Sequence, residues 1–409
     1  MSDFNRRDLL RFTAAGATLV LAAPGWAAAP APKRLVVVML RGAVDGLNVV
    51  VPYGEEAYYE ARPTIAVPRP GAEGGALALD EHFALHPALA GAMPLWTEKR
   101  LAFVHASGSP DPTRSHFDAQ LFIENGTPGR SNTPDGWMNR LLAALPTLHG
   151  PTDAVAIGPV LPQILRGKFA ASNLAIGPAA TKPIATDRPE LAELFDRLYS
   201  GNDALGRAWR EGRAARSELI AGLPQDEQMQ ADNGAPPANT FPAQAQRLAH
   251  LLTHDERIRL VFVALGGWDT HVRQGNQMGQ LANRLKPLGD GLAAFAQGLG
   301  PQWNDTVVVV VSEFGRTVRE NGDAGTDHGH GNVMWLAGGK INGGKVYGEW
   351  PGLAAAQLYQ GRDLAVTTDY RHVLASVLER HLRLPGSSLD AILPGLPPAR
   401  SDLGQIVAT

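Results

Sequence analysis

The chain has 409 residues, of which 44% are hydrophobic and 19% are charged, and its formal net charge is −3. This length is enough for one large domain or two modest ones, and the slightly acidic balance argues against a nucleic-acid partner. The sequence has no cysteine, which excludes disulfides, thiolate catalysis and cysteine-ligated zinc. Beyond the N-terminus no run approaches the roughly 18 apolar residues of a membrane helix, so no stable membrane span is expected.

Residues 1–31 are predicted to be a twin-arginine signal peptide. The segment 5–10 contains two adjacent arginines, and a moderately apolar stretch, 12–23, follows it. Small residues at 27–29 suit cleavage, although Pro30 leaves the cleavage point open. This export route carries folded proteins, often with a metal or cofactor already inserted. The segment therefore predicts a periplasmic or secreted protein that meets the twin-arginine translocase during export.

Short apolar runs indicate the buried strands of a parallel sheet. The first run, 35–40, ends just before Asp45, which lies in a turn with two glycines. A carboxylate at that place is a candidate metal ligand, although an aspartate can also serve only the geometry of the turn. A second strand, 101–104, leads into a polar loop that opens a helix at Ser115 or His116.

The polar loop before this helix carries candidate catalytic residues. A hydroxyl at a helix N-terminus is favoured as a nucleophile because the backbone N–H groups there stabilise an oxyanion. Ser115 and Thr113 compete for that role, and Ser115 can equally be the N-cap of the helix. Arg114 can hold an anionic group bidentately, and His116 and Arg316 complete the candidate catalytic set.

A strand predicted at 258–265 ends in the sequence Gly-Gly-Trp-Asp-Thr-His. Asp269 and His271 are two residues apart, so in extended backbone they project in the same direction. The alternative is a turn in which the histidine packs on Trp268. The two glycines let the backbone approach another element closely. An amphipathic helix, 281–299, follows and completes a βαβ unit with the next strand.

The valine run 307–311 predicts a central strand that is buried on both faces. Glu313 and Arg316 lie at its carboxyl end, where the ligands of open α/β sheets gather. A loop rich in glycine and aspartate then delivers one carboxylate and two imidazoles between glycines: Asp327, His328 and His330. These groups can converge on a metal or a phosphoryl group, or they can be solvated side chains of a polar loop.

Other segments give expectations about structure alone. Residues 190–221 alternate charged and apolar positions at helical spacing, which predicts helices with a solvated face. The stretch 222–242 is polar and proline-rich, which predicts a flexible insertion. A glycine-rich hairpin is predicted at 338–348, and Asp369 is expected to cap the helix that follows it.

Seven candidate metal ligands lie at strand ends or in the loops after them, and a doubly wound sheet would bring them to one edge: Asp45, Asp269, His271, Glu313, Asp327, His328 and His330. Carboxylates and imidazoles without thiolate suit zinc, manganese or iron, whereas calcium prefers oxygen ligands alone. The set is enough for one or two divalent ions, with zinc or manganese favoured. Two ions about 3.5–4 Å apart would suit phosphoryl or sulfuryl transfer.

Several motifs occur together in the chain: LRGAVDGLN, LHPALA, SHFDAQ, GGWDTH, SEFGRT, GTDHGHGN and TTDYRHVLASVLE. With the twin-arginine start, they make the chain resemble the exported family of domains of unknown function numbered fifteen-oh-one, which is grouped with the alkaline phosphatase and sulfatase superfamily. The resemblance spans essentially the whole mature chain. It implies a single α/β domain, 32–409, built as a three-layer α/β/α sandwich with a mostly parallel central sheet and a metal site at its carboxyl edge.

By the same resemblance, Asp45 is similar to the first-strand aspartate ligand of the superfamily, and Asp269 with His271 to its paired aspartate and histidine. The chain departs from the superfamily after the central strand, where Glu313 and a phenylalanine replace the usual aspartate and histidine. The missing imidazole then has to come from the histidine-rich loop, or one ion is absent. Pro110 stands where sulfatases carry their modified residue, so formylglycine chemistry is not expected.

Two classes of function are left open. The first is a metal-dependent hydrolase of phosphate or sulfate esters, with an anionic small molecule or glycan as its substrate. The second is a non-catalytic exported protein that keeps the fold and a degenerate site for binding an anionic glycan or an envelope partner. Members of the resembled family often occur with another exported protein, which implies a protein partner. Fold alone cannot decide between the two classes.

Overall fold

The structure is a computed structural model, and it describes residues 31–146, 150–158, 160–174, 231–398 and 403–408. Its strands are β1 Arg34–Leu40, β2 Val50–Val51, β3 Leu77–Ala78, β4 Ala84–Leu85, β5 Leu101–Gly108, β6 Ala154–Ile157, β7 Ser172–Leu174, β8 Leu260–Leu265, β9 Thr306–Ser312, β10 Asn332–Gly338, β11 Val346–Tyr347 and β12 Thr368–Asp369.

The α-helices in these residues are Gly46–Val49, Glu56–Ala61, Met93–Thr97, His116–Asn125, Trp137–Ala144, Phe241–His254, Gln280–Leu299, Tyr370–Ser376 and Leu389–Ile392. A π-helical segment, Val377–His381, continues the helix Tyr370–Ser376. Short 3₁₀ helices are Pro87–Ala92, Pro151–Asp153, Gln163–Leu165, Ala238–Thr240, Gly300–Asp305, Ala355–Gln357, Gly386–Ser388 and Leu403–Gln405. Among the described helices, none combines the length and the hydropathy that a membrane span requires.

One sheet of nine described strands forms the centre of the molecule. Its strand order is β11-β5-β10-β9-β1-β8-β6-β7, and β12 pairs with β5. The strand β1 lies between β8 and β9 and is parallel to both. Only β10 runs against its neighbours, β9 and β5. The prediction of a mostly parallel central sheet is therefore confirmed.

Both faces of the sheet are buried, which makes the molecule a three-layer α/β/α sandwich. Alternate side chains of β1 enter two separate hydrophobic cores: Val36, Val38 and Leu40 enter one, and Leu35, Val37 and Met39 the other. The helices Phe241–His254 and Gln280–Leu299 cover the first core, and Trp137–Ala144 and Tyr370–Ser376 cover the second. Each buried valine or leucine contributes roughly 1.5–3 kcal/mol of transfer free energy, so the unbroken apolar runs fix the strands.

The helix Gln280–Leu299 connects β8 to β9 as a crossover, as the βαβ prediction requires. The predicted hairpin at 338–348 is wrong, because β11 pairs in parallel with β5 and not with β10. The chain passes beside the start of β5, where the backbone N–H groups of Gly343 and Gly344 donate to the carbonyls of Lys99 and Leu101. Asp369 caps the next helix as expected, since its side chain accepts from the Arg371 N–H.

The expected helices at 190–221, and the insertion up to residue 230, lie outside the described residues. In the described remainder of that stretch, Ala231, Ala238 and Phe241 are buried. The backbone N–H of Gly266 donates to the carbonyl of Pro236. This part of the chain therefore packs beside the end of β8.

The loops after β1 and β8 touch at the carboxyl edge of the sheet. Gly42, just after β1, has φ +111°, and a Cβ placed on it would lie 2.7 Å from the backbone nitrogen of Asp269. Only a glycine permits both the positive φ and this approach. The contact brings the residues that follow β1, β8 and β9 into one group at this edge.

Candidate metal centre

Three histidines and one aspartate meet at the carboxyl edge of the sheet. The Nε2 atom of His328 lies 3.0 Å from Nε2 of His116 and 2.9 Å from Nε2 of His271. Asp269 reaches the same point, with Oδ1 3.0 Å from Nε2 of His271 and Oδ2 3.7 Å from Nε2 of His116. His116, Asp269 and His328 offer ligand atoms that all lie within 4.8 Å of one another. We call these three side chains, together with His271, the candidate metal centre.

The local sequence explains how three separate loops present these groups. His116 is the first residue of the helix His116–Asn125, whose N-cap is Ser115. Asp269 and His271 follow the end of β8, and His328 follows β9. The spacing of two between Asp269 and His271 places both side chains at the same point, as the sequence predicted.

On each of these rings, the nitrogen that faces away from the centre has a partner. Nδ1 of His116 lies 2.8 Å from Glu313 Oε1, and Nδ1 of His328 lies 3.0 Å from the carbonyl oxygen of Arg114. Nδ1 of His271 lies 3.3 Å from a carboxylate oxygen, Oδ1 of Asp327. Metal-bound histidines typically donate their second N–H to a carboxylate or a carbonyl in this way.

The partner of Nδ1 determines where His328 carries hydrogen. A carbonyl can only accept, so a neutral His328 donates through Nδ1 and keeps a lone pair on Nε2. Nε2 of His271 has two neighbours of opposite kind: Oδ1 of Asp269, which can only accept, lies at 3.0 Å, and Nη1 of Arg316, which can only donate, lies at 3.4 Å. A cation bound among the Nε2 atoms would take the lone pair of His328 and balance the charge of Asp269.

Glu313 is fully buried and holds His116 in place. Its Oε1 accepts from the backbone N–H of Gly42 at 2.7 Å and from Nε2 of Gln120 at 3.1 Å, and Ser312 donates to Oε2 at 3.0 Å. Burial raises the pKa of Glu313, but the hydrogen bond and charge of His116 outweigh burial and lower it overall. The carboxylate is therefore ionised and able to accept from Nδ1 of His116.

Arg316 is fully buried and neutralises Asp269. Its Nη2 donates to Oδ1 of Asp269 and, at 2.5 Å, to the carbonyl of Gly42, while its Nε donates to the carbonyl of Ala43 at 2.6 Å. Burial raises the pKa of Asp269, yet its contacts with the three histidine rings and the charge of Arg316 lower it far below its usual range. Asp269 is thus an anion at every physiological pH.

The charge of His116 responds to the same carboxylates. Burial lowers the pKa of His116, but hydrogen bonds to Asp269 and Glu313 outweigh burial and raise it to about 9. Burial lowers the pKa of His328, which keeps that ring neutral. Without a metal, a proton on His116 supplies the positive charge that the two carboxylates require. A divalent ion supplies the same charge, and the three imidazoles with one carboxylate match the ligand types of zinc and manganese.

Asp45 lies apart from this group, in an ion pair. Its Oδ2 accepts from Nη1 of Arg62 at 2.6 Å and from Nε2 of Gln274 at 2.6 Å, and its Oδ1 accepts from Nη2 of Arg62 at 3.0 Å. Both partners and Asp45 are buried. Both carboxylate oxygens are therefore engaged, and a metal would have to displace these bonds.

The predicted catalytic loop lies beside the candidate metal centre, and its polar side chains form hydrogen bonds with other protein groups. Oγ of Ser115 accepts from the Asp118 N–H at 3.4 Å, and Oγ1 of Thr113 accepts from the Ser115 N–H at 3.2 Å. Nη2 of Arg114 donates to Oδ2 of Asp363 at 2.7 Å. Both hydroxyls keep a hydrogen to donate, whereas the guanidinium of Arg114 is held by a carboxylate.

His330 does not contribute to the cluster, although it is only two residues from His328. Its ring stacks on Tyr359 with 4.4 Å between centroids, and burial lowers its pKa. Asp327 faces Nδ1 of His271 and Asn321, behind the ring and not in the centre.

Two polar residues at the site were missed by the sequence analysis. Gln120 donates to Glu313, and it lies four residues after His116 on the same helix, a spacing that places both on one face. Asp363 bonds Arg114 and has no sequence signal, because nothing in the local pattern distinguishes it from an ordinary turn aspartate.

A cleft of about 390 Å³ lies against the helix that carries His116. Phe117, Gln120 and Glu124 line it together with Arg41, but the metal-centre side chains do not. Its size falls within the range of small-molecule sites. The cleft and the candidate metal centre thus share one helix as a wall.

A family model described as "Protein of unknown function (DUF1501)" matches residues 32–393 of the chain. The chain belongs to this family. The match confirms the resemblance that the motifs indicated, and it includes every residue of the candidate metal centre. Among curated proteins, none matches this family member in sequence.

Several solved structures are similar to this chain at low sequence identity. The soluble domain of lipooligosaccharide phosphoethanolamine transferase A from Neisseria meningitidis is 11% identical, with a TM-score of 0.41, over 91% of this chain and 95% of that one. The C-terminal periplasmic domain of EcEptC from Escherichia coli, in complex with Zn, is 11% identical, with a TM-score of 0.36, over 76% of this chain and 74% of that one. A protein in the alkaline phosphatase superfamily from Vibrio parahaemolyticus is 12% identical, with a TM-score of 0.38, over 77% and 62%. At TM-scores this low, the likeness carries no argument about activity.

Proposed function

We propose that the chain is a metal-dependent hydrolase of phosphate or sulfate esters, with one divalent ion held by His116, Asp269, His271 and His328. The observation that carries this proposal is the meeting of three Nε2 atoms with a carboxylate, while each Nδ1 atom is already bonded elsewhere.

An ion bound there acts as a Lewis acid toward a phosphoryl or sulfuryl oxygen. The chain's own residues supply the remaining requirements. Glu313 fixes the ring of His116, and Arg316 balances the charge of Asp269. Ser115 and Thr113 are the competing nucleophiles, because both hydroxyls lie at the start of the helix that begins with His116.

A single ion is proposed in place of two. In the part of the chain that the structure describes, only one group of acidic and imidazole side chains has ligand spacing. Asp45, another predicted ligand at a strand end, has both oxygens on Arg62 and Gln274.

The paired arginines near the N-terminus support export by the twin-arginine translocase into the periplasm or the medium. A substrate in such a compartment is an anionic small molecule or a glycan that carries phosphate or sulfate. An exported protein partner is proposed as well, on the family resemblance alone.

The first test is metal content and zinc affinity. Protein purified without chelator should carry about one equivalent of divalent metal, since the described residues contain one group of side chains with ligand spacing. His328→Ala should weaken zinc binding in calorimetric titration by more than about a hundredfold, because loss of an outer partner alone costs roughly 10- to 100-fold. His254→Ala is the matched control, since that histidine is exposed on the helix Phe241–His254.

The second readout is hydrolysis of nitrophenyl phosphate, bis-nitrophenyl phosphate and nitrophenyl sulfate by the zinc-loaded protein. Ser115→Ala and Thr113→Ala then separate the two nucleophiles, because only the correct substitution should remove turnover while zinc affinity stays unchanged. A metal-free protein that is fully folded would contradict the proposal. A zinc-loaded protein without any esterase activity would favour the second class, a binding protein on the same fold.

A further inference from the structure

Asp363 is a fully buried carboxylate that binds two arginines. Its Oδ2 accepts from Nη2 of Arg114 at 2.7 Å and from Nε of Arg114 at 3.3 Å. From the other side, Nε of Arg362 donates to Oδ1 at 3.0 Å, and Nη2 of Arg362 donates to Oδ2 at 3.3 Å. The two arginine side chains are 31% and 44% exposed, whereas that of Asp363 is 0% exposed.

Both arginines also contact His328, through different atoms. The backbone carbonyl of Arg114 accepts from Nδ1 of His328 at 3.0 Å, and Nη2 of Arg362 donates to the backbone carbonyl of His328 at 2.6 Å. Asp363 therefore holds two residues that between them fix the ring tautomer and the backbone of one histidine of the candidate metal centre.

The backbone around Asp363 is fixed independently of these side chains. The N–H of Asp363 donates to the carbonyl of Tyr359 at 3.0 Å, and the N–H of Val318 donates to the carbonyl of Arg362 at 3.2 Å. Asp363 also forms a β-bridge with Thr317, just after the end of β9. The carboxylate thus lies on a hydrogen-bonded turn, next to the two arginine side chains that it binds.

Burying this carboxylate carries a desolvation cost that an apolar side chain would avoid. A buried ion pair is for that reason weak evidence of a stabilising role, and a role in specifying geometry is the better explanation where such a pair adjoins a site. Here both arginines lead directly to His328.

We propose that Asp363 is a positioning residue for the candidate metal centre, which it serves by holding Arg114 and Arg362 against His328. The inference rests on the proposed function, because it assigns a purpose to Asp363 only if His328 binds a metal. It adds to that function an outer partner that lies two contacts away from His328.

The test is zinc affinity of the full chain, measured by calorimetric titration with zinc chloride for the parent protein and for Asp363→Asn. The substitution keeps the shape of the side chain and removes its charge. We expect zinc affinity to fall by about 10- to 100-fold, the range observed for outer partners of metal ligands. Thermal unfolding with and without zinc should show that zinc raises the Tm of Asp363→Asn less than it raises the Tm of the parent.

Glu124→Gln is the matched control. Glu124 is also a buried carboxylate paired with an arginine, Arg41, at 2.6 Å, and it lies on the helix that begins with His116. Its substitution should lower Tm equally with and without zinc and leave zinc affinity unchanged. Equal zinc affinity of Asp363→Asn and the parent would overturn the inference, and so would an equal loss in both variants.

If Asp363→Asn does not fold, Arg362→Gln replaces it, because Arg362 is half exposed and its loss leaves Asp363 paired with Arg114. Its zinc affinity should fall, and an unchanged affinity would overturn the inference. Failure of the inference can be told from failure of the proposed function, since the latter requires that the parent protein itself bind no zinc.

Discussion

At Asp45, two bonds from Arg62 and one from Gln274 engage both carboxylate oxygens. The sequence could not show this, because an aspartate after a first strand has the same pattern whether it binds a metal or an arginine. The distinction depends on Arg62, which lies 17 positions away in the chain and has no motif around it.

We expect Asp45→Asn to reduce stability without reducing zinc affinity. Breaking a buried ion pair leaves Arg62 without its counter-charge and costs roughly 3–5 kcal/mol. Urea denaturation gives the loss in free energy of unfolding, and calorimetric titration gives the zinc affinity. Asp290→Asn is the control, because its pair with Lys286 is exposed and such pairs contribute less than about 1 kcal/mol. A large loss of zinc affinity with near-parent stability would make Asp45 a ligand.

His116 and Glu313 illustrate how far residue-level prediction reaches. Both were expected at the site, because each lies at a strand end or a helix start on the carboxyl edge of the sheet. Their roles were not predictable, because a metal ligand and the residue that hydrogen-bonds the far nitrogen of its ring are separated only by about the width of one imidazole. In the structure His116 faces the centre, and Glu313 accepts from the far nitrogen of its ring.

At the scale of elements, the strands were predictable because unbroken runs of valine and leucine strongly favour buried strands. The predicted runs 35–40 and 307–311 became β1 and β9 with one added residue at one end or at both. The prediction of a hairpin at 338–348 was wrong because glycine residues favour a turn but do not determine which strand the following segment pairs with. Pairing to β5 depends on space beside that strand, which no local pattern encodes.

The loops that carry the candidate ligands depend on a close backbone contact at Gly315. A Cβ on Gly315 would lie 1.8 Å from the carbonyl oxygen of Gly331, and the two loops also share the hydrogen bond from the Gly329 N–H to the Gly315 carbonyl. The turn after β9 and the segment that contains His328 are thereby packed without side chains between them.

We expect Gly315→Ala to separate these segments and to weaken zinc binding. The backbone cannot absorb so short a contact, so the free energy of unfolding should fall by about 3 kcal/mol or more, the upper part of the usual range. Gly322→Ala is the control, because it lies in the same loop and a Cβ there meets nothing within 4 Å. Parent-like zinc affinity and stability in Gly315→Ala would show that the two segments are free to move apart.

At the scale of the whole molecule, three buried histidines outside the candidate metal centre determine how the protein responds to acid. His86, His105 and His381 each place Nε2 2.8–2.9 Å from a backbone carbonyl. Burial lowers the pKa of each to about 4. They lie in separate parts of the sandwich, so protonation of each one destabilises a different region of the fold.

The free energy of unfolding should therefore decrease as pH falls from about 6.5 to about 4. In this window the unfolded chain takes up protons on these histidines near their ordinary pKa of about 6.5, whereas the folded chain does not. Three such groups give a slope of up to about 4 kcal/mol per pH unit, because the unfolded state binds more protons. Burial raises the pKa of Asp232 to about 6, so this carboxyl is protonated first in the folded state and offsets up to about one third of that slope. His116, whose pKa is raised to about 9, adds little below pH 6, because it is then protonated in both states of the metal-free protein.

Urea denaturation of the zinc-free protein at a series of pH values measures this slope. His105→Gln should reduce the slope by up to about 1.4 kcal/mol per pH unit, since one of the three histidines that take up protons on unfolding is gone, and the exposed His254→Ala should leave it unchanged. A slope near zero between pH 6.5 and 4.5 would mean that the buried rings accept protons within the fold, and the proposed origin of acid sensitivity would then be wrong.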